Sequence, residues 1–290
     1  MIAFIILHYK NIKDTIECIE SILKQETDKE VKIIVVDNNT LNEKDEEKLS
    51  RYDIDIIKLE ENLGFAKANN IGCKFAIKNY KPDYLVVSNN DIVIRQKGFI
   101  DKIYMEEKFD ILGPMILTKH GQSVNPFPVY KSLEEVQKQI NKTKKLIKIY
   151  QSIILRNMLK IYIKIKKIFV GEKLVTNGLK REYNVALHGC FLIFSKRYYK
   201  KYKDVFFNET FLYHEEEFLY QRIINDNLIS IYDPKLKVFH KEGASLNNTI
   251  KEEYPKLIFK NKEILKSLEL LKREMKEWKY EGNNSNSTML

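Results

Sequence analysis

The chain has 290 residues, 44% of them hydrophobic, and carries 50 Lys and Arg against 40 Asp and Glu. That length holds one large or two modest domains with a real core, and that apolar content excludes a chain disordered throughout. No run approaches the roughly 18 consecutive apolar residues of a membrane span, and the widely spaced Cys18, Cys73 and Cys190 exclude a disulfide framework or a zinc site and suit a reducing cytosol.

The apolar opening, residues 2–7, lacks a basic flank and a small-residue cleavage site, so it reads as a core strand and not a signal peptide. Ile12, Ile16, Ile19 and Leu23 then share one helical face. Val31–Val36 is a β-branched run ending at Asp37. Glu43–Leu49 reads as a polar helix, Ile54–Leu59 as a strand, and Phe65–Ile77 as a helix opening just past Gly64. Tyr84–Val87 is a fourth strand with Asp91 at its mouth. This alternation predicts βαβ units on a largely parallel sheet with helices on both faces. Ligands of such sheets bind beyond the carboxyl ends of the strands. Here those ends carry Tyr9 and Asn11, Asp37 and Asn39, Asn62, and Asn89-Asn90-Asp91.

The second half is less regular. Ile111–Ile116 reads as a strand. Between Lys131 and Val170 stand eleven of the Lys and Arg residues and only two acids, Glu134 and Glu135, which is nearly the whole positive excess. Within it Leu133–Phe169 has helical apolar spacing. Such a helix docks on an anionic membrane surface or packs on the core with a solvated lysine face. Nucleic acid would have to bind through this segment alone and is not expected as a partner. Val185–Phe194 is a strand interrupted by His188-Gly189, and Glu215–Ile224 is a helix. Ile229–Tyr232 and Lys237–His240 read as short strands, Pro255–Lys276 as a long charged helix, and 282–290 as a tail without fixed structure.

Several residues carry chemistry. Asp37 can accept hydrogen bonds from a base or ribose, or cap a turn. Gly64 and Gly72 permit close backbone approach, Lys67 can reach a phosphate, Asn70 lies on the same helix, and the helix start offers N–H groups to an anion. Asn89-Asn90-Asp91 offers oxygen ligands with one firm carboxylate, as Mg²⁺ prefers, though the triplet also makes a good turn. Glu215, Glu216 and Glu217 crowd three carboxylates at a helix start. That crowding should raise at least one pKa and favour a general base near neutrality. His240 at its strand end can complete a metal site, and Gly189 can admit a substrate.

In combination these segments resemble the inverting glycosyltransferases of family 2, with the GT-A nucleotide-diphospho-sugar fold, and within it the rhamnosyltransferase-like branch of bacterial surface polysaccharide synthesis. Residues 61–72 are similar to that branch's Asn-Leu-Gly-Phe-Ala…Asn-Asn-Ile-Gly signature. Val36-Asp37-Asn38-Asn39 matches its nucleotide-contacting strand end, and Ser88-Asn89-Asn90-Asp91 its metal-binding DxD position, with Asn for the first Asp. Phe211–Arg222 resembles its Phe-x-Tyr-x-Glu-Asp-x-x-Leu-x-x-Arg, with Glu216 at the Asp that serves as base. Gly189 and His240 match an acceptor-side Gly and a His near the metal.

The resemblance implies a GT-A domain over 1–245, made of a nucleotide-sugar half (1–118), a basic helical insert (131–170) and an acceptor half (183–245), followed by a helical extension over 246–281. It implies a UDP- or dTDP-sugar donor across Tyr9, Asn11, Asp37, Asn39, Asn62, Gly64, Lys67, Asn70, Asn89 and Asn90. Asp91 and His240 would hold Mg²⁺ or Mn²⁺, and Glu216, flanked by Glu215 and Glu217, would be the base. The acceptor would be a lipid-linked saccharide, the enzyme cytoplasmic and peripheral at the inner face of the cell membrane, with a homodimer left open. A sugar-nucleotide nucleotidyltransferase would need a Gly-rich, Arg-bearing loop where His8-Tyr9-Lys10-Asn11 stands. A non-catalytic partner that keeps the fold is the third reading.

Overall fold

The computed structural model describes residues 1–119, 123–157, 179–241 and 253–287. The second part of the basic stretch, residues 158–170, and the chain from 242 to 252 lie outside them. The described residues fall into two compact units, one drawn from Met1–Val129, Asn177–Phe211 and Glu215–Ser245, the other from Tyr130–Thr176, Leu212–His214 and Leu246–Leu290.

The first unit is a nine-stranded sheet between helices. Its first part follows the chain as β1 (Ile2–His8), α1 (Ile12–Leu23), β2 (Val31–Asp37), α2 (Glu43–Leu49), β3 (Asp55–Lys58), α3 (Gly64–Tyr80) and β4 (Tyr84–Asn89). Then come β5 (Ile92–Val93), α4 (Phe99–Tyr104), β6 (Ile111–Thr118), β7 (Glu182–Tyr183), β8 (Phe191–Ser195), α6 (Lys196–Lys201), α7 (Glu215–Asn225) and β9 (Ser230–His240). Helix α5 (Leu133–Gln151) and the last helix, α8 (Glu253–Ser287), belong to the second unit.

The strands run in the order β3-β2-β1-β4-β8-β6-β9-β5, with β7 beside β9. The β3-β2-β1-β4 half is parallel, as the early alternation of elements predicts. Beyond β4 the sheet is mixed: β8 is antiparallel to both β4 and β6, whereas β6 and β9 are parallel. These pairings join residues about 80 to 120 positions apart, which no local pattern encodes.

Alternation along each strand builds two cores. Ile2, Phe4 and Ile6 of β1, Ile33 and Val35 of β2, and Phe191 and Ile193 of β8 face one layer, where α1 and α4 add Ile19, Ile22, Phe99 and Ile103. Ala3, Ile5, Ile34, Val36, Leu192 and Phe194 face the other, covered by Ala66, Ala68, Cys73 and Ala76 of α3 and Leu219 and Ile223 of α7. Burial on both faces is why these strands read as continuous apolar runs. The small residues of α3 let it lie close to the sheet, and a Cβ on Gly72 would come within 2.6 Å of the Ile5 side chain.

The two short strands expected over 229–240 are one strand. β9 pairs with β6 throughout, and a register shift between Pro114 and Met115 absorbs residues 234–236. Val185–Phe194 yields a strand only from Phe191 onward, because His188 and Gly189 use their backbone in a turn that serves side chains. In the second unit α5 stops at Ser152, whose backbone is extended, and the chain resumes a helical turn at 153–157. Helix α8 runs to Ser287, beyond the Lys276 and Gly282 boundaries read from composition. Among the described residues no helix is long and apolar enough to cross a membrane. Cys18, Cys73 and Cys190 are buried and form no disulfide.

Candidate functional site

The parallel strand ends lie level, because His8 pairs with Asp37 and Leu7 with Asn89. They form the expected lip, but most of its polar side chains are bonded to one another. Asp37 is buried, and its Oδ1 accepts the N–H groups of Thr40 (2.9 Å) and Leu41 (3.1 Å), the turn role of an Asp. Asn38 donates to Asn62 Oδ1 (2.8 Å) and accepts from the Leu63 N–H (2.9 Å), while Gly64 N–H donates to the same Asn62 oxygen. Asn11 donates to Asp14, and Asn90 to the carbonyl of Asn11 and to Thr15 Oγ1 (3.0 Å). The Thr15 hydroxyl also lies 2.6 Å from Nδ1 of His8, a buried imidazole that desolvation holds below its ordinary pKa. Tyr9, at 42% exposure, and the exposed Asn39 and Lys67 remain open on this lip.

Two expected donor-binding residues take other roles. Asn70 is buried, and its amide closes a two-bond clasp on Phe206, Nδ2 to the carbonyl (3.0 Å) and Oδ1 from the N–H (2.8 Å). Gly64 does serve a close backbone approach, but to protein. A Cβ there would stand 2.1 Å from the Phe211 carbonyl oxygen, φ is +77°, and Phe65 N–H donates to that same oxygen (2.8 Å). The backbone of Asn89 likewise turns inward, its N–H donating to the Cys190 carbonyl (2.9 Å).

The second cluster converges from four separate stretches of chain. Antiparallel pairing of β5 with β9 sets Ile92 across from His240, and Lys241 N–H donates to the Asp91 carbonyl (3.1 Å). His240 Nε2 therefore lies 3.1 Å from Asp91 Oδ1, and its Nδ1 is buried without a hydrogen-bond partner among the described residues. The rings of His240 and His188 are 6.5 Å apart. His188 Nδ1 stands 3.9 Å from Glu216 Oε1, and that oxygen accepts the Gly189 N–H at 2.9 Å. Asp91 and Glu216, 125 positions apart in the sequence, thus share one neighbourhood through two histidines.

Helix α7 positions Glu216. Its Arg222 is anchored by the Tyr198 hydroxyl (3.1 Å) and the carbonyls of Asp204 (3.0 Å) and Val205 (2.9 Å), and Phe218 stacks on Phe207 with centroids 4.3 Å apart. Of the three carboxylates, Glu215 and Glu217 are buried, while the Glu216 side chain keeps 12% exposure. Burial, then the charges of Glu216 and Glu217, push the Glu215 carboxyl up to about 8. The crowding argument therefore holds for the neighbour of the presumed base, with burial as the larger cause.

The turn bearing His188 hangs on Asn125, a buried residue absent from the sequence reading. Its Oδ1 accepts the His188 N–H (2.7 Å) and its Nδ2 donates to the Pro114 carbonyl (2.9 Å). His188 was noted only as a break in an apolar strand, and that break was the available signal. A Cβ on Gly189 would stand 3.1 Å from Glu216 Oε1, so this glycine makes room for the carboxylate.

The sequence profile of glycosyl transferase family 2 matches residues 3–229. The chain belongs to this family. The residues that the profile matches make up most of the sheet and the helices packed on it. Among solved structures the chain is similar to S. aureus TarS 1–349, at 16% identity over 83% of this chain and 60% of that one, TM-score 0.46. It is also similar to the mannosyltransferase PcManGT of Pyrobaculum calidifontis, solved with GDP-Man and Mn²⁺, at 10% identity over 84% and 58% of the two chains, TM-score 0.49. The chain thus spans about three fifths of the length of these proteins. No curated protein sequence matches it.

Asp91 and His240 were expected to hold a divalent cation. Among the described residues no three His, Cys, Asp or Glu side chains are gathered as a closed metal cage. The pair Asp91 and His240 nevertheless fits an ion that keeps most positions for water and phosphate. Their 3.1 Å separation is that of neighbouring ligands at right angles on bonds of about 2.1 Å.

Proposed function

We propose that this family 2 chain is an inverting glycosyltransferase. In this reading it moves a sugar, rhamnose being one candidate, from a UDP- or dTDP-sugar to a hydroxyl of a lipid-linked saccharide in bacterial surface polysaccharide synthesis. The observation that carries the reading is the convergence of Asp91, His240, His188 and Glu216. The donor lies across the strand ends with its base near Tyr9 and Asp37. Asp91 and His240 would hold Mg²⁺ or Mn²⁺, which when bound neutralises charge on the departing diphosphate.

Glu216 is the base. The Gly189 N–H fixes Oε1, so proton uptake falls to Oε2. As the acceptor O–H loses its proton to Glu216, its oxygen attacks the anomeric carbon from the face opposite the diphosphate. The old C–O bond breaks, its electron pair leaves with the nucleoside diphosphate, and the configuration inverts in one displacement. Glu215, protonated through neutral pH, does not compete for the role.

The test is turnover on a panel of nucleotide sugars with Mg²⁺ or Mn²⁺, in the wild type, Asp91→Asn and Glu216→Gln. Loss of turnover in both variants with unchanged thermal melts is expected. Wild-type turnover in either variant overturns the assignment of that residue.

A further inference from the structure

The second unit carries a surface that the transfer chemistry does not use. Ile153, Ile154 and Leu155 are consecutive branched aliphatic residues, exposed by 70%, 74% and 41%. Single exposed apolar residues are ordinary, but three in a row on a helical turn are not. They sit just past Ser152, where α5 ends. The Ser152 carbonyl accepts both the N–H of Arg156 (3.0 Å) and its Nε (3.3 Å). The turn is therefore a built structure, and the guanidinium of Arg156 also lies over the Tyr254 ring at 4.6 Å.

The charges around this turn have one sign. From Lys138 to Asn157 the chain has Lys138, Lys142, Lys144, Lys145, Lys148 and Arg156 and no acid. Val136, Ile140 and Thr143 are the buried face of α5. At 100° per residue Lys138, Lys142 and Lys145 fall on the opposite face, with Lys148 beside them. Lys138 is paired with Glu134 (2.8 Å) and Lys144 with Glu269 (2.9 Å). Lys142, Lys145 and Lys148 are exposed and make no ion pair among the described residues.

We propose that Ile153, Ile154 and Leu155 are a wedge that enters the headgroup boundary of an anionic bilayer, with Lys142, Lys145, Lys148 and Arg156 meeting the lipid phosphates. A polar-faced element with an apolar edge and surrounding cations is what such a boundary binds. Nucleic acid would use the cations but has no use for exposed aliphatic residues, since base stacking calls on aromatic rings. A second copy of the chain would bring like charge against like charge. The inference rests on the membrane-bound acceptor of the proposed function for its purpose only, because the binding itself needs neither donor nor acceptor.

The experiment is flotation of the full chain with phosphatidylcholine vesicles and with phosphatidylcholine–phosphatidylglycerol vesicles. Binding to the anionic vesicles alone is expected. The variant I153S/I154S/L155S should lose at least about ten-fold in partitioning, and K142E/K145E/K148E about five-fold or more per lysine, both with wild-type thermal melts. A third measurement does not depend on these triple variants. Because Cys18, Cys73 and Cys190 are buried, Ile154→Cys can be labelled selectively with a polarity-sensitive dye. Its emission should shift to the blue on anionic vesicles. The proposal is overturned if the wild type ignores phosphatidylglycerol, if the serine variant binds like wild type, or if the dye stays in water. It is also overturned if the lysine face retains duplex DNA but no vesicles, or if the serine variant changes only the oligomeric state. Vesicle binding without any sugar transfer would count against the proposed function and leave the wedge standing; the reverse result would remove the wedge alone.

Discussion

The two polar edges of the first unit are built to opposite ends. On the parallel edge most polar side chains are closed on protein, Asp37 on Thr40 and Leu41, Asn38 on Asn62, Asn90 on Thr15 and Asn70 on Phe206, while Tyr9, Asn39 and Lys67 stay open and His8 Nε2 is buried without a hydrogen bond among the described residues. On the mixed edge polar groups are left short of partners. Among the described residues Glu215 Oε1 and His240 Nδ1 are buried without a hydrogen bond, and Glu216 is held by one backbone N–H while partly open. Unsatisfied buried polar groups are costly and rare, and a functional site is one place where they survive. The first edge is a cradle held largely by its own hydrogen bonds; the second is the proposed reactive centre, its charged groups less fully bonded.

Four substitutions break or sharpen that contrast. Glu216→Gln keeps the shape and the Gly189 bond but removes the proposed base, and should lower turnover about 10²–10⁴-fold. Donor affinity, read by nucleotide-sugar titration, should hold, because the cradle is elsewhere. Gly64→Ala attacks the cradle. With its Cβ driven against the Phe211 carbonyl at positive φ, it should cost about 2–4 kcal/mol in thermal or denaturant melts. An unchanged melt would mean that the 211 loop moves freely. Asn70→Ala leaves the Phe206 N–H and carbonyl unpaired in the core and should cost about 1–3 kcal/mol. Residual turnover at low temperature should stay near wild type, which would separate this clasp from donor binding.

The last expected effect is a change of slope with pH. Between the ordinary carboxyl value of 4.5 and about 8, folded Glu215 keeps a proton that the unfolded chain has lost. The folded state then binds more protons, so this group makes stability fall as pH rises through that window, with no further loss above it. Glu215→Gln should remove that component. The difference in Tm between variant and wild type should therefore grow from pH 4.5 to 8, and a constant difference would show that the carboxyl ionises normally.

The parallel half was legible because its signals are local. The runs of β1, β2 and β4, the helical spacing of α1 and the strand-end residues follow from periodicity within a dozen positions. The acidic start of α7 and the strand-end place of Asp91 were legible on the same ground. The donor-binding roles read for Gly64 and Asn70 were not what the structure uses them for. Asn and Gly next to a helix start suit a ligand and a partner loop equally, and the partner loops lie near 206 and 211. Asn125 and the use of His188 were hidden for a like reason, since Asn125 is brought to His188, and His188 to Glu216, only by folding.

The amino-acid order alone determined the strands and helices of the parallel half, where the carboxylates and histidines stand along the chain, and where positive charge gathers. Hydrophobic period and charge are properties of neighbours in the chain, so they need no fold to be read. Only the tertiary structure decided that β8 inserts between β4 and β6, that β9 brings His240 to Asp91, and that Glu216 rather than Glu215 or Glu217 keeps an open face. Strand pairing and burial are set by contacts between residues far apart in sequence, and those contacts exist only once the two cores have closed.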